Sequence, residues 1–472
     1  MKRAPAYVEG LTMTAHTAAA LRLPVGSSMS AGALSAEAII NRNGVSRFQL
    51  IMGALGILIL IADGFDIQII SYLIPQITKE WGIAAAYQGT ILSAGFAGTM
   101  LGYVVLAPLS PRFGLKRAVV IYLVAAGLLN LATVTAVTPS MLLAFRIATG
   151  MALGGLFPSA VALTAEYFPE RCRASLVTIM YVGIPVGFLL AGGTAWALIA
   201  RFGWRSAMVV AGVVPLALAL VEMLAGRESP AYLVSHGTAG RRQALRILSK
   251  IDGRVANADP ESLTADGERR HSASVVELFR ARRALGTPAL WIALSMNSAV
   301  YYFILTWLPL ILVRIGAAQE NAILASSLVN FAGIAAGVVT GPLMDVFGRY
   351  RIVTLLFAAG AASTVLVGSV LSPVVVVIVP AALCLGFCVS GIQKGVSALA
   401  VRFYPTELRS AGLGWALGSG QTGAIAGPFL AGQLIAQGWA PASLFYAMSV
   451  PMILGGLSVR LMWRTYGKPA PE

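Results

Sequence analysis

Charge is scarce in this sequence. Only 11% of its 472 residues are Asp, Glu, Lys or Arg, less than half of the roughly 25% found in soluble globular chains, whereas 57% are hydrophobic. This balance excludes a water-soluble domain and leaves a membrane protein. Cysteine is almost missing. Two of the three cysteines, Cys384 and Cys388, stand one helical turn apart in an apolar run and read as small hydrophobes, not as a disulfide framework. Histidine is as rare: His16, His236 and His271 lie outside the apolar runs without Cys, Asp or Glu at ligand spacing, so no metal site is expected. No Gly-x-x-x-x-Gly-Lys loop is present to cradle phosphate, which excludes ATP-driven work of that type, and no cofactor is implied. Acids are fewer than bases, 19 against 34, for a net charge of +15. The bases lie in short loops between apolar stretches, where they set membrane orientation and do not form a nucleic-acid face.

Twelve stretches are long enough to cross about 30 Å of hydrocarbon, which takes about 20 residues. The first six lie near 48–77, 88–109, 117–138, 140–165, 174–200 and 206–225, and the second six near 288–313, 322–343, 352–372, 374–400, 410–436 and 442–461. The expected organisation is a tail over 1–46, a six-helix bundle over 47–225, a charged linker over 226–287, a second bundle over 288–463 and a tail over 464–472. Alternate loops carry the positive charge: Arg112, Lys116 and Arg117, then Arg171 and Arg173, the linker, Arg349 and Arg351, Arg402 and Arg409, and Arg460 and Arg464. The positive-inside rule then puts both termini in the cytoplasm. The first 45 residues have no long apolar core or small-residue cleavage pattern, so no signal peptide is expected, and Met13 and Met29 are alternative starts.

The chain repeats itself. Ala107-Pro108-Leu109-Ser110-Pro111-Arg112-Phe113-Gly114-Leu115-Lys116-Arg117 is answered by Gly341-Pro342-Leu343-Met344-Asp345-Val346-Phe347-Gly348-Arg349-Tyr350-Arg351, an offset of 234 (341 less 107). Tyr167-Phe168-Pro169-Glu170-Arg171-Cys172-Arg173 is answered by Phe403-Tyr404-Pro405-Thr406-Glu407-Leu408-Arg409, an offset of 236 (403 less 167). Two matches at nearly one offset predict duplicated halves, the parallel-repeat plan in which a substrate site lies near the midplane between them.

Polar residues at bilayer depth cost several kcal/mol unless paired or hydrated, so each is a candidate site residue. Asp63 and Asp66 are three apart on one helical face. Their mutual repulsion is relieved when one of them holds a proton, which marks the pair for proton coupling. Arg146 lies about 10 Å from the outer end of the fourth helix and Asp66 about 13 Å from that of the first, at 1.5 Å per residue, so an Asp66–Arg146 pair is expected in one state. Protonation would release the arginine to an anionic substrate. Lys394, beside Gln393, and Gln421 lie about 13–17 Å from the inner ends of their helices and are candidates to hold a carboxylate. Tyr301, Tyr302, Phe303, Trp307, Phe387 and Trp415 are candidates to stack on a planar ring. Of these aromatic residues, Tyr302, Trp307 and Trp415 join Arg146, Lys394, Gln393 and Gln421 in the expected substrate site. Asp345, Arg349, Arg112, Glu166, Arg173, Glu407 and Arg409 form charged rims that could latch an outward-open state.

Asp63-Gly64-Phe65-Asp66, the loop repeat, Ala162-Leu163-Thr164-Ala165-Glu166-Tyr167-Phe168-Pro169 and Gly412-Leu413-Gly414-Trp415-Ala416-Leu417-Gly418 give a chain that resembles the major facilitator superfamily. Within it, the chain resembles the aromatic acid:proton symporters of the 4-hydroxybenzoate, protocatechuate and benzoate transporter kind. The resemblance covers about Leu34 to the end. It implies an all-α polytopic membrane protein with twelve transmembrane helices in two pseudo-symmetric six-helix bundles. It also implies proton-coupled uptake of an aromatic carboxylate across a bacterial inner membrane, by a monomer whose partners are substrate, protons and lipid. Three positions depart from the family pattern: Pro111 where the first loop usually has an acid, Gln421 where an arginine is often found, and Lys394 where a neutral residue is usual. Antiport efflux is the alternative; Gly183-Ile184-Pro185-Val186-Gly187 lacks the Gly-Pro pattern of drug antiporters. A membrane sensor would be expected to lose the charges of the first and fourth helices. No set of nucleophile, base and oxyanion donors recurs at one depth, so no enzyme is expected.

Overall fold

The computed structural model describes residues 34–42, 44–264, 275–280, 283–405 and 408–467. Six long helices come from the first half: α1 Arg47–Trp81, α2 Ala85–Val105, α3 Leu115–Val134, α4 Pro139–Glu166, α5 Glu170–Phe202 and α6 Trp204–Ala225. Six more come from the second: α7 Gly286–Arg314, α8 Gln319–Phe347, α9 Arg349–Ser369, α10 Val375–Phe403, α11 Arg409–Ala436 and α12 Ser449–Tyr466. A short helix, Pro441–Ala447, leads into α12, so the expected span at 442–461 is broken at Met448. Eleven of the described helices are long and apolar enough to cross a membrane. The remaining one, α11, is as long but rich in Gly, Ser, Gln and Thr. The expected architecture of an all-α, twelve-helix, multi-pass membrane protein holds.

Local chemistry sets the helix ends. Ser46 caps α1 in a reciprocal box: the Gln49 N–H donates to Ser46 Oγ at 3.3 Å and the Ser46 N–H to Gln49 Oε1 at 2.7 Å. Thr138 Oγ1 accepts from Met141 N–H at 3.3 Å to start α4, with Pro139 at its first position. The repeated loops share one unusual backbone: Gly114 has φ 95° and ψ 133°, and Gly348 has φ 88° and ψ 133°, a positive-φ region that a Cβ disfavours. The duplication read from sequence is thus also a duplication of conformation.

The packing repeats as well. In the first half α1 lies on α5, α2 on α4 and α3 on α6; in the second, α7 lies on α11, α8 on α10 and α9 on α12. Small residues allow the close approaches: a Cβ on Gly150 would collide with the Gly95 carbonyl of α2, and one on Gly423 with the Ser295 carbonyl of α7.

The halves meet through α2–α11, α5–α8 and α1–α7. Gly89 of α2 packs on Pro428 and Gly432 of α11, and Gly192 of α5 on Ile323 and Ser327 of α8. These contacts lie toward the end of the molecule away from the linker, called here the distal end. At the other, terminal end, Asp345 in the last turn of α8 (side chain 74% exposed) and Trp415 in the second turn of α11 (48%) stand open. The bundles therefore touch at the distal end and part at the terminal end.

The linker contains the helices Pro230–Val234 and Gly237–Leu248. The end of the N-terminal tail joins it: Leu34–Ser35 pairs in parallel with Leu263–Thr264, and the helix Ala36–Arg42 buries Ile39 and Ile40 in one core with Leu245, Leu248 and Phe168. Expected as a simple tail, 34–42 instead forms, with the linker, a cap on the first bundle.

Candidate functional site

The two aspartates of α1 have different surroundings. Asp66 is 2% exposed and fully engaged: Asn130 Nδ2 of α3 donates to its Oδ1 at 2.7 Å, Arg146 Nη1 to the same oxygen at 3.4 Å and Arg146 Nη2 to Oδ2 at 3.1 Å. Arg146 is 3% exposed and faces Gly95 of α2, where a Cβ would come within 3.2 Å of its Nη2. Removing either charge alone would strand the other in a medium that solvates it poorly. The expected Asp66–Arg146 pair is therefore present, with Asn130 as a third member. Asn130 went unmarked because a lone amide in an apolar run gives no pattern to read.

Asp63, one turn toward the terminal end, is 6% exposed and makes no hydrogen bond or ion pair among the described residues. Tyr103 of α2 and Tyr302 of α7 lie within electrostatic range of it. Tyr302 packs its ring 4.5 Å from that of Phe96 of α2, across the seam between the bundles, and 5.2 Å from that of Tyr301. The lone carboxylate thus stands beside an aromatic seam.

The second bundle offers amides and one cation. Asn297 Nδ2 of α7 donates to Gln393 Oε1 at 2.9 Å and to the Val389 carbonyl at 3.1 Å. Lys394 Nζ donates to the Gly333 carbonyl of α8 at 2.8 Å, and Gly337 leaves room for it: a Cβ there would lie 2.7 Å from Nζ. No carboxylate pairs with Lys394 among the described residues, and its side chain is exposed. Gln421 Oε1 and Asn330 Nδ2 are buried without hydrogen-bond partners among the described residues. Asn330 lines a small cavity with Tyr301 and Ser390 between α7, α8 and α10.

Two of the expected ring-stacking residues lie elsewhere. Trp307 is fully buried, donates its indole N–H to the Pro428 carbonyl at 3.0 Å and lies under the Arg314 guanidinium; it belongs to the distal closure, about 15 Å along α7 from Asn297. Trp415 stacks on Trp291, with centroids 6.0 Å apart, near the terminal end. The charged rims are also divided. Arg112 is exposed, and Asp345 meets Arg349 of its own loop at 3.6 Å. Glu166 takes the Ser229 hydroxyl of the linker, and Arg173 meets Glu37 of the tail segment at 3.4 Å. Glu407 lies outside the described residues, and Arg409 is described only as the start of α11. Hydrogen bonds between the halves, among the described residues, come instead from two neutral amides and one arginine of the distal end: Gln68 Nε2 donates to the Leu305 carbonyl at 3.1 Å, Gln319 Nε2 to the Tyr72 carbonyl at 3.2 Å, and the Arg314 guanidinium to Gln88 Oε1 at 2.5 Å.

The family model described as Major Facilitator Superfamily matches residues 56–389 and 314–472. The gallate transporter of Pseudomonas putida is 33% identical over 422 residues, covering 89% of this chain and 93% of its own. The 4-hydroxybenzoate transporter of Pseudomonas aeruginosa is 32% identical over 432 residues, covering 91% and 95%. Among solved structures, a bacterial homologue of the human lysosomal transporter Spinster, in an inward-facing and unoccupied conformation, superposes with a TM-score of 0.69 at 15% identity, covering 91% of this chain and 100% of that one.

Proposed function

The chain belongs to the Major Facilitator Superfamily, and from that premise we propose that it carries an aromatic carboxylate, of the hydroxybenzoate class, inward with protons by alternating access. The substrate class rests on relatives named for gallate and 4-hydroxybenzoate transport that match over nearly the whole chain. Proton coupling rests on one observation above the others: Asp63 is a buried carboxylate without a hydrogen-bond or ion-pair partner among the described residues, one turn from an aspartate that is fully engaged.

The scheme follows from electrostatics. While the terminal end is open, the 6% of Asp63 that remains exposed is the route by which water exchanges a proton with it. When the bundles close, that water is lost, and a charged carboxylate becomes costly unless it is neutralised. Loading a proton on Asp63 removes the obstacle, and the substrate's carboxylate is balanced by Lys394, with Gln393 and Gln421 as hydrogen-bond donors. Tyr302 supplies an aromatic face. Arg146 stays with Asp66 in the state seen here and answers a carboxylate only when that pair opens. By the positive-inside rule the terminal end is cytoplasmic, so this state faces inward, both termini are cytoplasmic and the membrane is the bacterial inner membrane. Segments 47–225 and 288–463 move as two bodies of a monomer, joined by 226–287. In the outward-open state the loops bearing Asp345, Arg349, Arg112 and Arg409 come together.

The test is uptake of radiolabelled hydroxylated and methoxylated benzoates in cells with and without a protonophore. Protonophore-sensitive accumulation of one acid supports the reading. Accumulation of none, or extrusion of a preloaded acid, overturns it.

A further inference from the structure

At the terminal end of the first bundle, the first turns of α3, the end of α6 and the linker line a groove of about 480 Å³. Its upper rim is basic, with Lys116 and Arg117 from the first turn of α3 and Arg227 just beyond α6. Its floor is apolar: Ile121 and Met223, 59% and 53% exposed. The floor continues along the bundle surface through Leu128 and Leu220, 55% and 56% exposed, about two turns of α3 and nearly one turn of α6 further from the linker. We infer that this groove binds an anionic phospholipid, its phosphate on the basic rim and one acyl chain along α3 and α6.

Two acids adjoin the rim and offset part of it, which leaves three bases, Lys116, Arg117 and Arg227, against two carboxylates, Glu222 and Glu228. Glu228 is 7% exposed, and its carboxylate is taken by the backbone N–H groups of Lys116 at 3.0 Å, Arg117 at 3.4 Å and Ser229 at 3.0 Å. Glu222 is 3% exposed, below the rim. Lys116 Nζ spends one donor on the Met223 carbonyl at 3.0 Å, and Arg227 Nη1 donates to the Leu224 and Gly226 carbonyls at 3.3 and 3.2 Å. The Arg117 side chain is exposed and has no hydrogen bond or ion pair among the described residues. Tyr232 and Gln243 of the linker complete the mouth as neutral hydrogen-bonding groups. A soluble anion would be satisfied by the rim alone. The apolar floor, continuous with the bilayer-facing surface, is what selects a lipid, and basic pockets between helices at a membrane interface suit anionic headgroups.

The experiment is native mass spectrometry of the detergent-solubilised full-length protein with dioleoylphosphatidylglycerol, dioleoylphosphatidylcholine or inorganic phosphate as probes. Wild type is expected to retain phosphatidylglycerol in preference to phosphatidylcholine, with Arg117→Gln weakening retention by about fivefold. Ile121→Asn, which makes the floor polar without adding a charge beside Arg117, should also weaken it, whereas Lys79→Gln at the distal end should not. Equal retention of both lipids, or an unchanged preference in Arg117→Gln, overturns the proposal. Displacement of the lipid by millimolar inorganic phosphate overturns the choice of occupant. Unchanged helical circular dichroism and elution volume in each variant separate lost binding from lost fold.

Discussion

Two copies of one loop have met different fates. Gly114 and Gly348 share a backbone conformation, yet the first copy lies against the Glu228 carboxylate, which accepts the N–H groups that open α3. The second, among the described residues, has the ion pair of its own Asp345 with Arg349 and no carboxylate from the linker on its N–H groups. The same contrast runs through the bundles. In the first half the charge at depth is an ion pair buried with Asn130, and the linker and residues 34–42 cap the bundle. In the second the charge at depth is a lysine resting on a backbone carbonyl. On the proposed function, a fold duplicated in sequence divides its labour, one half holding fixed charge beside the proposed proton site and the other offering polar groups to the solute.

That comparison can be broken at several points. Arg146→Met should have the largest effect, lowering unfolding stability by about 3–5 kcal/mol because Asp66 is left buried without its counter-charge. Thermal unfolding in detergent measures this, and Asp66→Leu combined with Arg146→Met should recover most of the loss. Lys394→Met should leave stability unchanged and raise the half-saturation concentration for uptake by about tenfold, as expected for losing one charged hydrogen bond of about 1.5–3 kcal/mol. An unchanged half-saturation would remove Lys394 from the substrate site. Glu228→Gln should cost about 1–2 kcal/mol, since it weakens charge-assisted bonds to backbone N–H groups. Asp345→Asn, acting on an exposed contact, should stay within about 0.5 kcal/mol. Equal costs in these two loops would erase the asymmetry between the halves.

The fold was legible because the constraints of a bilayer are coarse. Apolar runs of about 20 residues, alternating loop charge and a repeat at offsets of 234 and 236 residues (341 less 107, 403 less 167) leave few alternatives. Asp63, Asp66 and Arg146 were legible for the same reason, since charge at that depth has to be explained. Rotational position was not. Helices apolar nearly all round carry little periodicity to separate the face toward a cavity from the face toward a neighbour, so Trp307 and Trp415 were grouped with a site from which the structure separates them. Asn130, Gln68, Gln88 and Gln319 were missed because a neutral amide costs less at depth than a charge and calls less attention to itself. The cap was missed because Leu34 and Leu263 pair across a long sequence separation, and two short segments give no local sign of each other.

The central claim is that Asp63 carries the coupling proton, and proteoliposomes test it directly by comparing proton-driven accumulation of 4-hydroxybenzoate with its exchange at equilibrium, in wild type and Asp63→Asn. The account predicts that the variant loses accumulation while keeping exchange, because a permanently neutral side chain lets the bundles close without a proton. Accumulation by Asp63→Asn at the wild-type level would contradict it.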